Sequence, residues 1–303
     1  MMVKVSQDTR FNKLPHGMNI VLNVLVLIFV VLCVVPLLLM IMVSFTDEMT
    51  ILRNGYAFLP SKLSLDSYRY VLDGNLIYRS YGISIFVTLL GTVASLMVIT
   101  LFAYPLSRRD FKRRNLVSFL LFFTMIFNGG LVPWYMVYTQ LIPLKNTIWV
   151  YIVPYLINAW YVLIMRTFFR ATVPDELLEA AKLDGAGEFR TFFSIVLPIS
   201  KAGLATIGLF CTLQYWNDWF LPLMFIDETK LMNVQYILAR ILNTITWLSQ
   251  NSQSVSGTVS FDTIPSEGAR MAIAVLSVGP IIFAYPFFQR YFIKGLTIGA
   301  LKG

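Results

Sequence analysis

Two stretches of this sequence combine residue types and spacings that invite a chemical reading. The first is Trp216-Asn217-Asp218-Trp219, an acid and an amide held between two indoles. Asp218 is the only acid inside any of the long apolar stretches described below. An ionisable group in such a stretch is costly and normally faces a cavity or a partner. The amide, the carboxylate and the aromatic faces are surfaces that sugars use. Aromatic residues near the end of a membrane span also form the interfacial belt, and Asp218 can equally be a hydrogen-bonded packing residue. Asn158, Trp160 and Tyr161 form a similar set. On this reading Asn158, Tyr161, Trp216, Asn217, Asp218 and Trp219 are candidates to line a polar pathway.

The second stretch is Val173-Pro-Asp-Glu-Leu-Leu-Glu-Ala-Ala-Lys-Leu-Asp-Gly-Ala-Gly187, which reads as a complete short helix. Pro174 suits the first helical position. Asp175 and Glu176 complement the positive end of the helix dipole. Gly185 suits the left-handed residue just past the end. Leu177, Leu178, Ala180 and Ala181 give a small apolar face, and two alanines leave a low surface that another protein can approach, with Glu179 beside them. The same pattern also describes an amphipathic helix lying at a membrane interface. A further helical stretch, Glu188 to Val196, leads through Pro198 into the next apolar run.

Other chemistries find little to work with. There is no G-x-x-x-x-G-K-[ST] loop to cradle a nucleotide phosphate. The one histidine, His16, sits in a polar N-terminal tail, which leaves a histidine-based triad or metal site without its ligands. Cys33 and Cys211 lie in apolar runs and read as small packing residues.

The elements that hold these groups are dictated by composition. Of 303 residues 57% are hydrophobic and 13% charged, against about 25% charged in soluble domains. Mean hydropathy is +0.70. Lipid is the solvent such a chain requires. Val24 to Val43 is an uninterrupted apolar run of 20 residues without a small-residue cleavage pattern, so it reads as an uncleaved first span. Six spans are expected, at approximately 19–45, 82–106, 116–140, 147–169, 198–226 and 269–293. All must be helical, since no sheet edge can face lipid. Each has a proline in or near it, at Pro36, Pro105, Pro133, Pro154, Pro222 and Pro280. Kinked helices around a cavity would explain this, as would the general abundance of proline in membrane helices.

The net charge of +8 is placed beside the apolar runs, which favours lipid headgroups over nucleic acid as the anionic neighbour. Loop 107–115, SRRDFKRRN, has five basic residues and one acid. With it inside, most of the 24 basic residues are inside, so both termini are expected to be cytoplasmic. The organisation expected is a cytoplasmic tail over 1–18 and one membrane domain over 19–303. An inner loop lies at about 170–197 and long outer loops at about 46–81 and 227–268. The second outer loop is polar around Asn251–Ser260 and is either a solvated linker or a docking surface.

Glu179-Ala180-Ala181, then Asp184-Gly185-Ala186, then Phe192, Phe193, Ile195 and Leu197-Pro198, resembles the EAA loop of ABC-importer permeases. Asn128-Gly-Gly-Leu-Val-Pro-Trp134, Trp216-Asn-Asp-Trp219 and Gln289 to Gly303 extend the resemblance over about residues 18–303, towards the MalG-type subunit of carbohydrate importers and its LplC-like oligo- and polysaccharide branch. The resemblance implies an all-α membrane protein with the type I importer permease fold. It implies that Glu179, Ala180, Ala181, Asp184 and Gly185 contact an ATPase as a coupling helix, and that Gly299, Lys302 and Gly303 of the tail reach it as well. The partners implied are a second homologous permease, two ATPase subunits that bind ATP and Mg, an external solute-binding protein and a carbohydrate. The location implied is a bacterial plasma membrane, with no cofactor in this chain. In maltose-type systems the partner permease holds most of the substrate, which sets the pathway residues above in question. A self-contained secondary transporter or channel is the competing reading. It would need coupling ions or a filter that one intramembrane acid and no internal repeat do not provide. A membrane-embedded enzyme would lack a catalytic constellation.

Overall fold

The computed structural model describes residues 16–250 and 266–300. Tail residues 1–15, the Asn251–Ser260 stretch and the tail positions Lys302 and Gly303 lie outside the described residues.

The described chain is helical, with no paired strands beyond one isolated bridge between Thr46 and Leu63. In order it forms α1 (His16–Ser44), α2 (Glu48–Asn54), α3 (Asp66–Leu72), α4 (Asn75–Ser107), α5 (Arg114–Ile126) and α6 (Leu131–Met136). Two 3-10 turns, Ile148–Tyr151 and Val153–Tyr155, precede α7 (Ala159–Thr172) and α8 (Asp175–Leu183). Then come α9 (Glu188–Thr191), a π turn over Phe192–Val196, α10 (Leu197–Ile199), α11 (Lys201–Trp216), α12 (Phe220–Phe225) and α13 (Val234–Gln250). The last helix, α14 (Ser266–Ala300), includes Gly299 in its backbone.

Among the described residues three helices are long and apolar enough to cross a membrane unbroken, over Gly17–Ser44, Asn75–Ser107 and Ser266–Gln289. The third and fourth expected spans are bent pairs rather than single rods, and a third bent pair begins at Glu188, within the expected inner loop, and runs into the fifth expected span. Arg114–Ile126 meets Leu131–Leu141 at 112°, Ile148–Tyr155 meets Ala159–Thr172 at 52°, and Glu188–Ile199 meets Lys201–Trp216 at 84°. Proline contributes to the bends without specifying them. Pro133, Pro154 and Pro198 flank breaks, whereas Pro36, Pro105 and Pro280 sit inside continuous helices. The two long connections carry structure of their own: α2 and α3 in the first, and the 17-residue α13 in the second.

The chain divides into two compact units. Among described residues the smaller comprises 16–70 and 266–275. Its organising group is Glu48. That carboxylate accepts hydrogen bonds from Ser266 Oγ (3.1 Å) and from the amides of Glu267 and Gly268 (both 2.9 Å). These are donors that the first turn of α14 leaves free. A methyl group at Gly268 would sit 2.2 Å from Ser67 Oγ, so glycine permits this close approach. Phe45 and Tyr68 pack at 4.9 Å alongside.

The larger unit comprises 71–250 and 276–300 and is organised on α4. Ser80, Ser84, Thr88, Thr92 and Ser95 recur every three or four residues and are all buried, so one face of a membrane helix is lined with small polar groups. Such faces let helices approach and bond across. Ser95 Oγ lies 2.8 Å from Tyr215 Oη, and Thr92 Oγ1 lies 3.3 Å from Thr212 Oγ1, both on α11. Ser84 Oγ accepts the Val234 amide at 2.9 Å. A methyl group at Gly91 would lie 2.7 Å from the Tyr215 ring. The apolar core joins Ile99, Ala103 and Leu106 of α4 to Val162, Met165 and Phe169 of α7 and to Leu178 of α8. By contrast α1 is exposed from Met18 through Val35, apolar on every side. A helix apolar all round belongs in lipid or against another subunit.

Candidate functional site

α8 forms as its sequence dictates, shifted by one position from expectation. Pro174 is the N-cap residue (φ −64°, ψ 142°) rather than the first helical residue. Its extended ψ keeps it outside the helix, and Asp175 and Glu176 form the first turn. The other end is a Schellman turn. The Gly185 amide donates to Lys182 O (3.0 Å) and the Ala186 amide to Ala181 O (2.9 Å). Gly185 adopts φ +75°, as expected, with open space around it. A side chain there is therefore opposed by backbone strain of about 1–2 kcal/mol and not by crowding.

The faces of α8 separate its motif residues. Leu178 and Ala181 turn into the protein, while Glu179, Ala180, Asp184 and Gly185 are exposed. Around the turn stand two large apolar side chains that sequence reading passed over: Leu183 is 90% exposed and Phe189 74%. Both belong to a polar loop, where bulky apolar residues without a periodic partner are the available signal of an anchor.

Behind this outer face lies a second feature that sequence reading missed. The basic loop, read as a topology signal, supplies an ion cluster. Arg108 is 8% exposed. It donates through Nε and Nη2 to the two Asp110 oxygens at 3.0 and 2.8 Å, and through Nη1 to Tyr104 Oη at 3.4 Å. Lys182 of α8 donates to Asp110 at 2.8 Å. Tyr104 donates to Glu188 at 2.9 Å, and Glu188 lies 3.6 Å from Arg108 Nη2 and 4.0 Å from Lys182. The Arg108 guanidinium first, and then the Lys182 ammonium, hold the Asp110 carboxyl well below the usual carboxylate range. Arg109 pairs with Asp175 at 2.9 Å in a far more exposed setting. Cavities of about 420 and 460 Å³ flank the cluster, and Tyr104 lines both.

The pathway candidates fall at the broken spans and do not form one group. Asn158 caps α7: its Oδ1 accepts the amides of Trp160 (3.0 Å) and Tyr161 (3.4 Å). Tyr161 stacks on Phe210 at 5.7 Å, and Trp160 is exposed. Asp218 plays the same part for α12. Its Oδ1 accepts the amides of Phe220 and Leu221, both at 3.1 Å, and the Tyr155 hydroxyl at 3.3 Å. Its backbone carbonyl accepts from Asn233. Trp216 is buried, donating its indole N–H to Ser277 O at 2.9 Å. Asn217 and Trp219 are exposed. Sequence reading did not single out the aromatic group beside them, Trp134 and Tyr135 against Phe225 at 5.1 and 5.2 Å. Among the described residues no cluster of His, Cys, Asp and Glu could hold a metal ion.

The comparisons with known proteins agree along nearly the whole chain. No family model matches. The polygalacturonan/rhamnogalacturonan transport system permease protein YtcP of Bacillus subtilis (strain 168) is 36% identical over 277 residues, covering 91% of this chain and 95% of that one. Protein LplC of the same organism is 37% identical over 270 residues (89% and 90%). The trehalose/maltose permease MalG of Thermococcus litoralis is 30% identical over 293 residues (94% and 97%). A crystal structure of a bacterial ABC transporter involved in the import of the acidic polysaccharide alginate superposes with TM-score 0.77 at 27% identity, over 92% of this chain and 99% of that one. With this fold and these relatives, the chain is a multi-pass membrane protein that belongs to the permease subunits of carbohydrate ABC importers.

Proposed function

We propose that this chain is one of two permease subunits of a binding-protein-dependent importer that brings an oligo- or polysaccharide across a bacterial plasma membrane. Two partner ATPases bind ATP and Mg and drive the cycle, and an external solute-binding protein delivers the sugar. Each bent helix pair counts as one span, giving six, with both termini inside as the basic 107–115 loop favours.

The observation that carries the reading is the outer face of α8. A short helix, closed by a Schellman turn at its C-terminus, presents Glu179 and Ala180 beside the Gly185 turn, with Leu183 and Phe189 standing out from it. This is a low, rigid, partly apolar knob on the basic side of the chain. Such a knob fits a cleft in another protein and passes the motion of that cleft to the spans as a hinge. Ala181 supports the helix from behind, facing inward with Leu178. The tail residues Gly299, Lys302 and Gly303 are proposed to reach the ATPase pair as well. Asn217 and Trp219 are the pathway candidates whose side chains are free to meet a sugar. Asn158, Tyr161, Trp216 and Asp218 serve the same pathway by holding the broken spans that shape it.

The test is to express the tagged chain with its genomic neighbours, purify from detergent-solubilised membranes, and follow ATP turnover with and without the binding protein. An ATPase and a second permease should co-purify, and replacing Glu179 and Gly185 together should weaken that association or its coupling. A chain that purifies alone and moves solute without ATP would overturn the reading.

A further inference from the structure

This inference rests on the coupling reading of α8 and concerns how the motion leaves that helix. α8 has nine residues and buries only two of them, Leu178 and Ala181. A cavity of about 420 Å³ is lined by Asp175, Glu176 and Leu178 together with Tyr104, so packing alone does not wrap the base of the helix. Besides the Leu178 contact with the core and the exposed Arg109–Asp175 pair, what joins α8 and the start of α9 to the end of α4 is the set of charges centred on Arg108. Its guanidinium touches Asp110, Tyr104 and Glu188 at once. Asp110 in turn holds Lys182, 72 residues away in sequence. From there α4 is bonded to α11 through the Ser95–Tyr215 and Thr92–Thr212 contacts, and α11 ends at Trp216.

We propose that Arg108 is a positioning residue: with Asp110, Lys182, Glu188 and Tyr104 it clamps α8 to α4, so that a displacement of α8 moves α4 and α11 as one body. The chemistry suits arginine specifically. A planar fork with five donors can hold three partners in fixed directions, whereas a lysine ammonium is a point charge on a flexible stem. Two cations and two anions make the cluster neutral overall, so it can stay closed in a half-buried site without a counterion. Arg108 itself is buried and lies off α8, so replacing it should leave the docking surface intact.

The test uses the complete importer in proteoliposomes, reading solute moved per ATP hydrolysed. Arg108→Ala should still co-purify with the ATPase yet lose about tenfold in transport per ATP, within the usual range of coupling between sites. Arg108→Lys should recover only a small part. Unchanged transport per ATP in an assembled Arg108→Ala complex would overturn the proposal. A second measurement covers a variant that folds poorly. Asp110→Cys with Lys182→Cys, in a background where Cys33 and Cys211 are replaced, should be uncoupled until a short bifunctional thiol reagent joins the two positions, and coupled again afterwards. If bridging leaves transport per ATP low, the clamp opens during the cycle and the single-body description is wrong. Failure of the wild-type chain to bring down an ATPase would instead remove the coupling reading itself.

Discussion

Asp218 and Asp110 occupy two regions of the molecule and do opposite work. Asp218 is buried, and its Oδ1 accepts from two amides within three residues and from the Tyr155 hydroxyl. It fixes a break in a span. Asp110 is more exposed and bonds side chains, one of them on α8. It ties two elements together. The difference teaches that a carboxylate bonded chiefly to nearby amides shapes its own segment, whereas one bonded to side chains of two elements ties those elements together.

The comparison can be broken most severely at the buried end. Asp218→Ala should cost about 2–3 kcal/mol, since two amides and the Tyr155 hydroxyl lose their acceptor away from water. Thermal unfolding in detergent should show it, with Asp218→Asn recovering most of the loss because one oxygen remains. Gly185→Val is expected next, at about 1–2 kcal/mol from the left-handed backbone, read as weaker recovery of the ATPase in co-purification, while Gly185→Asn should behave nearly as wild type. Asn158→Ala removes a cap in a half-exposed setting and should cost about 1 kcal/mol in the same unfolding assay. Arg109→Ala breaks the exposed pair with Asp175 and should change stability by less than about 0.5 kcal/mol.

The Asp110 carboxyl sharpens the contrast through pH. Its folded pKa is depressed, so its contribution is fully present above the unfolded value near 3.9 and fades as pH falls through the folded value. The stability gap between wild type and Asp110→Asn should therefore be flat from about pH 5 to 8 and narrow only below about pH 4. A gap that changed between pH 5 and 8 would place the titration in another group.

Much of the site was legible because its signals are local. The α8 helix is written in Asp175, Glu176 and Gly185, each acting within one turn, and the structure moves only Pro174, by one position. The broken spans were harder to read. Hydropathy registers a bent pair and a straight helix alike, and the breaks are set by Asn128, Asn158 and Asp218 bonding their own neighbourhoods as much as by proline. The ion cluster was invisible for a different reason. Arg108 reads as one more topology charge until Lys182 and Glu188 are brought to it across more than seventy residues of chain.

The Glu48 carboxylate, finally, has a bearing on synthesis. Its three donors lie at Ser266, Glu267 and Gly268, separated from it by 218 to 220 residues. A ribosome delivers the N-terminus first, so α4 through α13 are all made before this acid meets its amides. Contacts of such separation form late, because the loop they close must be ordered before they reward it. The smaller unit thus closes last: until Ser266, Glu267 and Gly268 have been made, the Glu48 carboxylate is without these three donors.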